Sequence, residues 1–116
     1  CWEAIMLAAH HKLDNLCLIV DNNSVAMLGY TDDIISHGGI VDRLAAFGWA
    51  VDSVDGHDVE AVHQTLGAIK SRRDRKPKAL VANTLKGRGV PGLENQPLSH
   101  IINPKPETID EILGNV

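Results

Sequence analysis

The chain has 116 residues, of which 44% are hydrophobic and only 3% aromatic, and its formal net charge is −4. This length allows at most one domain, with a core built mainly from Ala, Val, Leu and Ile. The negative charge gives no basic footprint for nucleic acid, and no apolar stretch approaches the roughly 20 residues of a membrane span. We therefore expect neither a nucleic-acid nor a membrane partner.

The cysteines and the chain start bear on cellular location. Cys1 and Cys17 lack metal-ligand spacing, and no signal peptide is visible. Cys17 falls inside a predicted strand, where a buried thiol is the usual state. We therefore expect a reducing, cytoplasmic environment.

The first predicted elements are a helix, a strand and a loop. Apolar residues at helical spacing predict a helix over 2–12. The apolar run over 16–20 predicts a parallel strand buried on both faces. Residues 24–38 contain several polar residues and glycines without a regular apolar pattern, which favours a loop.

The middle of the chain continues the alternation of helix and strand. A short helix over 39–47 is followed by a strand over 49–54. Asp58 is well placed to cap a helix over 59–73. The basic cluster over 70–78 lies at the end of that helix, where cations complement the helix dipole. We favour this reading of the cluster over an RNA-binding patch.

The last predicted elements are a strand over 78–83, a long segment over 86–105 and a helix over 106–113. Strands separated by helices imply parallel pairing, so the fold class is α/β, a parallel sheet with helices on both faces. Loops longer than about 12–15 residues are usually functional or disordered. We therefore predict a ligand-covering loop over 86–105.

Asn22 and Asn23 directly follow the first predicted strand. Ligands of open α/β sheets bind beyond the carboxyl ends of strands, and side-chain oxygens suit Mg²⁺, which shares its shell with phosphates. Asn also tolerates left-handed backbone and is common in turns. On these residues alone, both a metal site and a strand-end turn stay open.

Five short motifs occur along the chain in one order: Trp2-Glu-Ala, His10-His-Lys-Leu-Asp-Asn-Leu16, Val20-Asp-Asn-Asn23, Asp55-Gly-His-Asp58 and Thr84-Leu-Lys-Gly-Arg-Gly89. Together they resemble the thiamine-diphosphate-binding module of transketolases, and in particular the N-terminal subunit of split bacterial and archaeal transketolases. The resemblance extends to about residue 105. It implies a single partial thiamine-diphosphate-binding domain over residues 1–116.

The resemblance also implies a site for thiamine diphosphate and Mg²⁺. Asn23 matches the metal-binding Asn of the family, and the main-chain carbonyl of Val25 matches a second metal ligand. Met27 matches an apolar residue that packs beside the thiamine. The Asp of a Gly-Asp-Gly motif completes the metal site in the family; by position the motif would lie a few residues before Cys1, and this chain, which looks like a fragment, lacks it. Ser24 stands where the family often has Gly.

Two residues match catalytic positions of the family. Glu3 resembles a member of the glutamate network that links two active sites across a dimer, where burial would raise or couple its pKa. His100 falls where the family has a His near the diphosphate and the reacting carbon, although Ile101 replaces the usual following Gly. Without the resemblance, Glu3 is a solvated first-turn acid and His100 an ordinary loop residue.

The implied function is that of a transketolase-like enzyme, which moves a two-carbon ketol unit from a ketose phosphate to an aldose phosphate. The resemblance implies a second, pyrimidine-binding module or subunit in a homodimer or heterotetramer, so we expect this chain to be inactive alone. One alternative is another thiamine-diphosphate enzyme, either 1-deoxyxylulose-5-phosphate synthase or a 2-oxoacid dehydrogenase component. A second alternative is a non-catalytic α/β interaction module that has lost its metal site.

Overall fold

The computed structural model describes residues 1–90, 92–101, 103 and 105–114. The helices are α1 (Trp2–His10), α2 (Thr31–Ile35), α3 (Ile40–Ala46), α4 (Val59–Ser71) and α5 (Pro106–Gly114). The strands are β1 (Cys17–Asn22), β2 (Val25–Ala26), β3 (Gly29–Tyr30), β4 (Ala50–Asp55) and β5 (Lys78–Asn83). Positions 91, 102 and 104 of the predicted 86–105 loop, and positions 115–116 of the predicted domain, lie outside the described residues.

The residues group into two compact units. Unit 1 holds Cys1–Asn22 and His37–Thr84, and unit 2 holds Asn23–Ser36 and the chain from Leu85 onward. The single domain expected over 1–116 stays a prediction.

Unit 1 is built on a three-stranded parallel sheet with the order β1-β5-β4. All three strands run in the same direction. Their last residues are paired with one another: Asn83 of β5 lies opposite Asn22 of β1 and Asp55 of β4. This confirms the predicted α/β class with parallel pairing.

The core of unit 1 lies on both faces of β5. Ala79 and Val81 are fully buried and cluster with Ala8 of α1, Leu44 of α3 and Trp49. Strand side chains alternate between faces, so Lys78 and Leu80 lie on the other side, where α4 contacts β4 and β5. Helices therefore cover both faces of the sheet.

Polar contacts fix the ends of these elements. Trp49 Nε1 donates to the backbone oxygen of Ile5 in α1 at 3.0 Å. Lys78 is 1% exposed, and its Nζ donates to Asp14 O at 2.7 Å and pairs with Asp74 Oδ1 at 3.2 Å. A buried ammonium is tolerated only with such partners, because unpaired burial of a charge is very costly.

An amide ladder joins the carboxyl ends of the three strands. Asn22 Nδ2 donates to Asn83 Oδ1 at 2.8 Å, and Asn83 Nδ2 donates to Ser53 Oγ at 2.9 Å. The Thr84 hydroxyl is hydrogen-bonded to the Asp21 carboxylate. The Asn22 side chain therefore makes a hydrogen bond within unit 1 that links β1 to β5.

Burial of the first strand on both faces was a wrong prediction. Along β1, exposed residues alternate with partly buried ones, and Ile19 is 59% exposed. Cys17, expected to be buried, is also exposed. The reason is that β1 lies at one side of the three-stranded sheet, whereas β5 lies at its centre and buries four successive residues.

Other boundaries differ in ways that local chemistry explains. The predicted loop over 24–38 contains the antiparallel pair β2–β3 and the five-residue helix α2, which are too short to give a period in the sequence. Asp58 caps α4 as predicted, because its Oδ1 accepts from Ala61 N at 2.9 Å. None of the helices in the described part of the chain is long and apolar enough to cross a membrane.

Gly56 is the glycine on which the register of β4 and β5 most depends. Its N–H donates to Asn83 O at 2.8 Å. An added Cβ would lie 3.0 Å from Ala82 Cβ and 3.2 Å from Asn83 O, and would overlap the methyl group of Thr84. Strand β5 therefore leaves no room for a side chain at this turn.

We predict that Gly56→Ala lowers the free energy of unfolding by about 1–3 kcal/mol, the usual cost of overpacking. Gly67→Ala is the matched control, since Gly67 lies inside α4 with nothing within 4 Å of the added Cβ. It should raise stability by about 0.5–1 kcal/mol through helix propensity. Denaturant unfolding of both variants measures this, and equal effects would contradict the packing at Gly56.

Candidate functional site

A tight hairpin after the end of β1 carries three of the predicted site residues. Asn23 Oδ1 accepts a hydrogen bond from Val25 N at 3.0 Å, and Thr31 N donates to Ser24 O at 3.0 Å. Val25 and Ala26 of β2 pair with Tyr30 and Gly29 of β3. The side chain of Asn23 is therefore held by its own turn.

The two readings of Asn23, turn residue and metal ligand, are compatible. A side-chain amide oxygen can accept from more than one partner, so the bond from Val25 N is compatible with a metal at the same oxygen. The turn also orients the Asn23 amide before any ligand arrives, which lowers the entropic cost of binding. Whether Asn23 and Val25 bind a metal stays a prediction.

The segment after β5 is a chain of tight turns in its described part. Asn95 N donates to Lys86 O at 2.8 Å, and Gly89 N donates to Glu94 Oε1 at 2.8 Å. A Cβ on Gly87, where φ is +74°, would lie 2.6 Å from Leu93 O. The Tyr30 hydroxyl donates to Asn95 O at 3.1 Å, so β3 and this segment are joined inside unit 2.

One small cavity in unit 2 brings three predicted site residues together. Its volume is about 160 Å³, and it is lined by Val25, Ala26, Met27, Lys86 and His100. Small-molecule sites that enclose a whole ligand usually measure about 300–1,000 Å³. This cavity is therefore large enough for only part of a ligand, and its lining combines a cation and an imidazole with apolar side chains.

Lys86 also lines this cavity, whereas its sequence position, like that of Arg88, only suggested phosphate without assigning a direct contact. It stands before Gly87 and Arg88 in a segment where a lysine is equally an ordinary surface residue. Only the fold reveals that Lys86, and not Arg88, borders the same cavity as His100. The signal available in the sequence was the neighbouring Gly-x-Gly, which is typical of phosphate-binding backbone nests.

Glu3 lies in the first turn of α1, in unit 1. Its side chain is 87% exposed. The pKa of the Glu3 carboxyl lies below its usual value, chiefly because of a backbone hydrogen bond. The raised or coupled pKa expected for a shared network requires burial, and the exposed Glu3 carboxyl meets no such environment among the described residues.

The residues present fit a diphosphate and its metal by the chemistry of their donors. The Asn23 amide oxygen and the Val25 carbonyl are neutral, hard oxygen donors, the type that Mg²⁺ accepts alongside phosphate oxygens. Within the described residues, no group of three or more His, Cys, Asp or Glu side chains could hold a metal ion. The Oγ of Ser99, next to His100, is buried and lacks a hydrogen-bond partner among the described residues.

These observations describe an α/β fold with a small polar-lined cavity, and comparison with known proteins gives its family. The family described as transketolase, thiamine diphosphate binding domain, matches residues 1–112. The chain belongs to this family, and the match spans residues of both units.

Individual relatives agree with the family match. The chain is 37% identical to a subunit of the apulose-4-phosphate transketolase of Actinobacillus succinogenes over 94% of the chain and 39% of that protein. It is 39% identical to transketolase-like protein 2 of Bos taurus over 97% of the chain and 18% of that protein. The crystal structure of transketolase from Campylobacter jejuni superposes with a TM-score of 0.87 at 32% identity, covering 98% of the chain and 18% of that structure. The chain thus spans well under half the length of these relatives.

Ser24 gives a test of the hairpin geometry. Its φ is +59°, in the left-handed region where any side chain is strained. We predict that Ser24→Gly raises the free energy of unfolding by up to about 1 kcal/mol, and that Ser24→Val lowers it by more than that, since a β-branched residue fits this region worst. Chemical denaturation checks both variants, and a more stable Val variant would contradict the assigned turn.

Proposed function

We propose that this chain is part of a transketolase that uses thiamine diphosphate and Mg²⁺ to transfer a two-carbon ketol unit from a ketose phosphate to an aldose phosphate. The observation that carries the proposal is the cavity in unit 2, where Val25, Met27 and His100 meet in a chain of the transketolase family. When bound, thiamine diphosphate supplies the electron sink for cleavage of the ketose.

The hairpin supplies the metal ligands in this proposal. Asn23 Oδ1 and the Val25 carbonyl oxygen bind Mg²⁺, and the cofactor's phosphate oxygens share its shell. The turn bond from Val25 N holds the Asn23 amide in place. Both oxygen donors of this chain are neutral. The negative charge at the metal therefore comes from the diphosphate and from a carboxylate such as the Asp of the family's Gly-Asp-Gly motif.

The cavity-lining side chains act on the rest of the cofactor and substrate. The Lys86 ammonium lies against the diphosphate and offsets part of its negative charge. Met27, which is 55% exposed, packs beside the thiamine ring and loses that exposure when the cofactor binds. The His100 imidazole donates a hydrogen bond near the reacting carbon.

A second module completes the site. The cavity of about 160 Å³ is too small to enclose a cofactor, and relatives that match most of this chain are named as subunits of transketolases. We propose that the partner is a pyrimidine-binding module or subunit, in a cytoplasmic homodimer or heterotetramer. Exposed Glu3 joins a carboxylate network there, and its pKa rises on burial.

The relatives support a transketolase over the two alternatives. The family match and the named relatives are transketolases, including a 6-deoxy-6-sulfo-D-fructose transketolase subunit of Clostridium that is 36% identical to this chain. This favours ketol transfer over 1-deoxyxylulose-5-phosphate synthase or 2-oxoacid dehydrogenase chemistry. The lysine and imidazole at one cavity argue against a purely structural interaction module, for which such a cavity has no use.

The role of Asn23 is tested through the magnesium requirement. In the native protein, Asn23→Ala should raise the Mg²⁺ concentration needed for half-maximal cofactor binding at least about tenfold, since a metal ligand is lost. Asn23→Asp keeps an oxygen at this position and should retain binding. Asn15→Ala, the same chemical change in unit 1, is the control and should leave the Mg²⁺ requirement unchanged.

A purely structural role for Asn23 predicts another result. The turn bond to Val25 N would be lost in Asn23→Ala, so stability would fall by about 1 kcal/mol while the Mg²⁺ requirement stayed the same. Calorimetric titration of Mg²⁺ at fixed thiamine diphosphate, paired with thermal unfolding, separates the two outcomes.

Lys86 gives an independent test at the phosphate end. Lys86→Gln should weaken thiamine diphosphate binding roughly tenfold, the loss expected for one charge-assisted hydrogen bond. Thiamine without phosphate should bind the variant and the parent protein equally. Arg88→Gln removes a cation that does not border the cavity and should have little effect. An equal loss for both variants would indicate only general electrostatic attraction.

A further inference from the structure

A second cleft lies in unit 1, at the amino ends of β4 and β5. Its volume is about 690 Å³, which is within the range of small-molecule sites. Residues 46–48 border it just before β4 begins, and residues 74–76 border it just before β5 begins. We call this feature the basic cleft. It does not include any residue assigned above to the cofactor site.

The charges around the basic cleft are mainly positive. Lys12, Arg75 and Lys76 border it, and His10 adds an imidazole. None of the three cations has an ion-pair partner among the described residues. The one lining carboxylate, Asp74, is paired with Lys78 Nζ at 3.2 Å, and so its charge is already compensated.

Helix dipoles alone do not account for these cations. The carboxyl ends of α1 and α3 border the cleft, and each carries a partial charge of about −0.5. Three full positive charges exceed this, leaving an excess of about two. The sequence alone favours the dipole of α4 as the reason for the basic cluster over 70–78. In the structure, however, Arg75 and Lys76 border the basic cleft beside residues of α1 and α3, so the α4 dipole is not the only feature near them.

The backbone at two of these cations is in an unfavourable conformation. Lys12 has φ +54° and Arg75 has φ +57°, two of the five non-glycine residues with positive φ in the described chain. Long side chains rarely adopt this region, and strained backbone is enriched at binding sites. The two strained residues belong to different segments and meet at one cleft.

The floor of the basic cleft is apolar. Met6 is 48% exposed, and Ala9, Ala46 and Phe47 complete the surface. The Phe47 ring is held by Trp2, with ring centroids 5.7 Å apart. A cleft lined by both apolar side chains and unpaired cations is complementary to a ligand that has both an apolar body and a compact negative charge.

We propose that the basic cleft binds an organic phosphate monoester with an apolar, ring-containing body. The phosphate lies against Arg75 and Lys76, with Lys12 opposite, and the ring lies over Met6 and Phe47. Arginine suits this role because its planar fork binds phosphate oxygens in pairs. The site lies at the amino ends of the strands and is independent of the function proposed for unit 2.

The test is calorimetric titration of phenyl phosphate into the native protein, saturated beforehand with thiamine diphosphate and Mg²⁺. We expect one saturable event, with inorganic phosphate and phenol each binding at least about tenfold more weakly than phenyl phosphate. Arg75→Asn should weaken phenyl phosphate binding about tenfold. Asn tolerates positive φ, so this variant should keep the fold, and thermal unfolding verifies that. Lys76→Gln is the second variant and should weaken binding in the same direction.

Two matched controls assign the location. Arg73→Asn makes the same chemical change two residues away, at a side chain that donates to Lys70 O and Arg72 O and does not border the basic cleft. It should leave binding unchanged, as should Arg88→Gln in unit 2. An equal loss in Arg73→Asn, a loss in Arg88→Gln, or phenyl phosphate binding no tighter than inorganic phosphate would overturn the proposal.

Discussion

The parallel pairing of β5 with both of its neighbours is the constraint on which unit 1 depends. Because β5 is central, Ala79, Leu80 and Val81 are buried by helices on both faces. The same position buries Lys78, whose ammonium must find Asp14 O and Asp74 to compensate its lost hydration. Shared register then places Asn22 beside Asn83, and the Asn83 side chain reaches back to Ser53, so hydrogen bonds link all three strands near their carboxyl ends. One strand thus determines the core and both polar edges.

Much of this architecture could be predicted because it follows from the local spacing of apolar residues along the sequence. Helical spacing and the Asp58 cap gave α1 and α4 to within two residues, and the apolar run before Asn83 gave β5. Which strand is central could not be predicted, since 16–20 is as apolar as the run in β5 and burial depends on neighbours in the sheet. The pair β2–β3 also escaped prediction, because strands of two residues carry no period.

The candidate site was predicted in part. Resemblance to the family pointed to Asn23, Val25, Met27 and His100, and the fold brings the last three to one cavity. Lys86 and Arg88 both suggested phosphate, but the sequence could not tell which of them borders the site until the turns of the 85–101 segment are known. The family position of Ser24, often Gly, agrees with its positive φ. Glu3 lies exposed in the other unit, where its predicted role depends on a partner.

We propose above all that the turn at Asn23 supplies two ligands of a magnesium site, the Asn23 amide oxygen and the Val25 carbonyl oxygen. The most direct measurement is a crystal structure of the native protein with thiamine diphosphate and Mn²⁺ in place of Mg²⁺, with the ion located by its anomalous scattering. We predict the ion about 2.0–2.3 Å from both Asn23 Oδ1 and the Val25 carbonyl oxygen, with Lys86 against the diphosphate. An ion bound away from this hairpin, with the Asn23 amide engaged only in its turn, would contradict that claim.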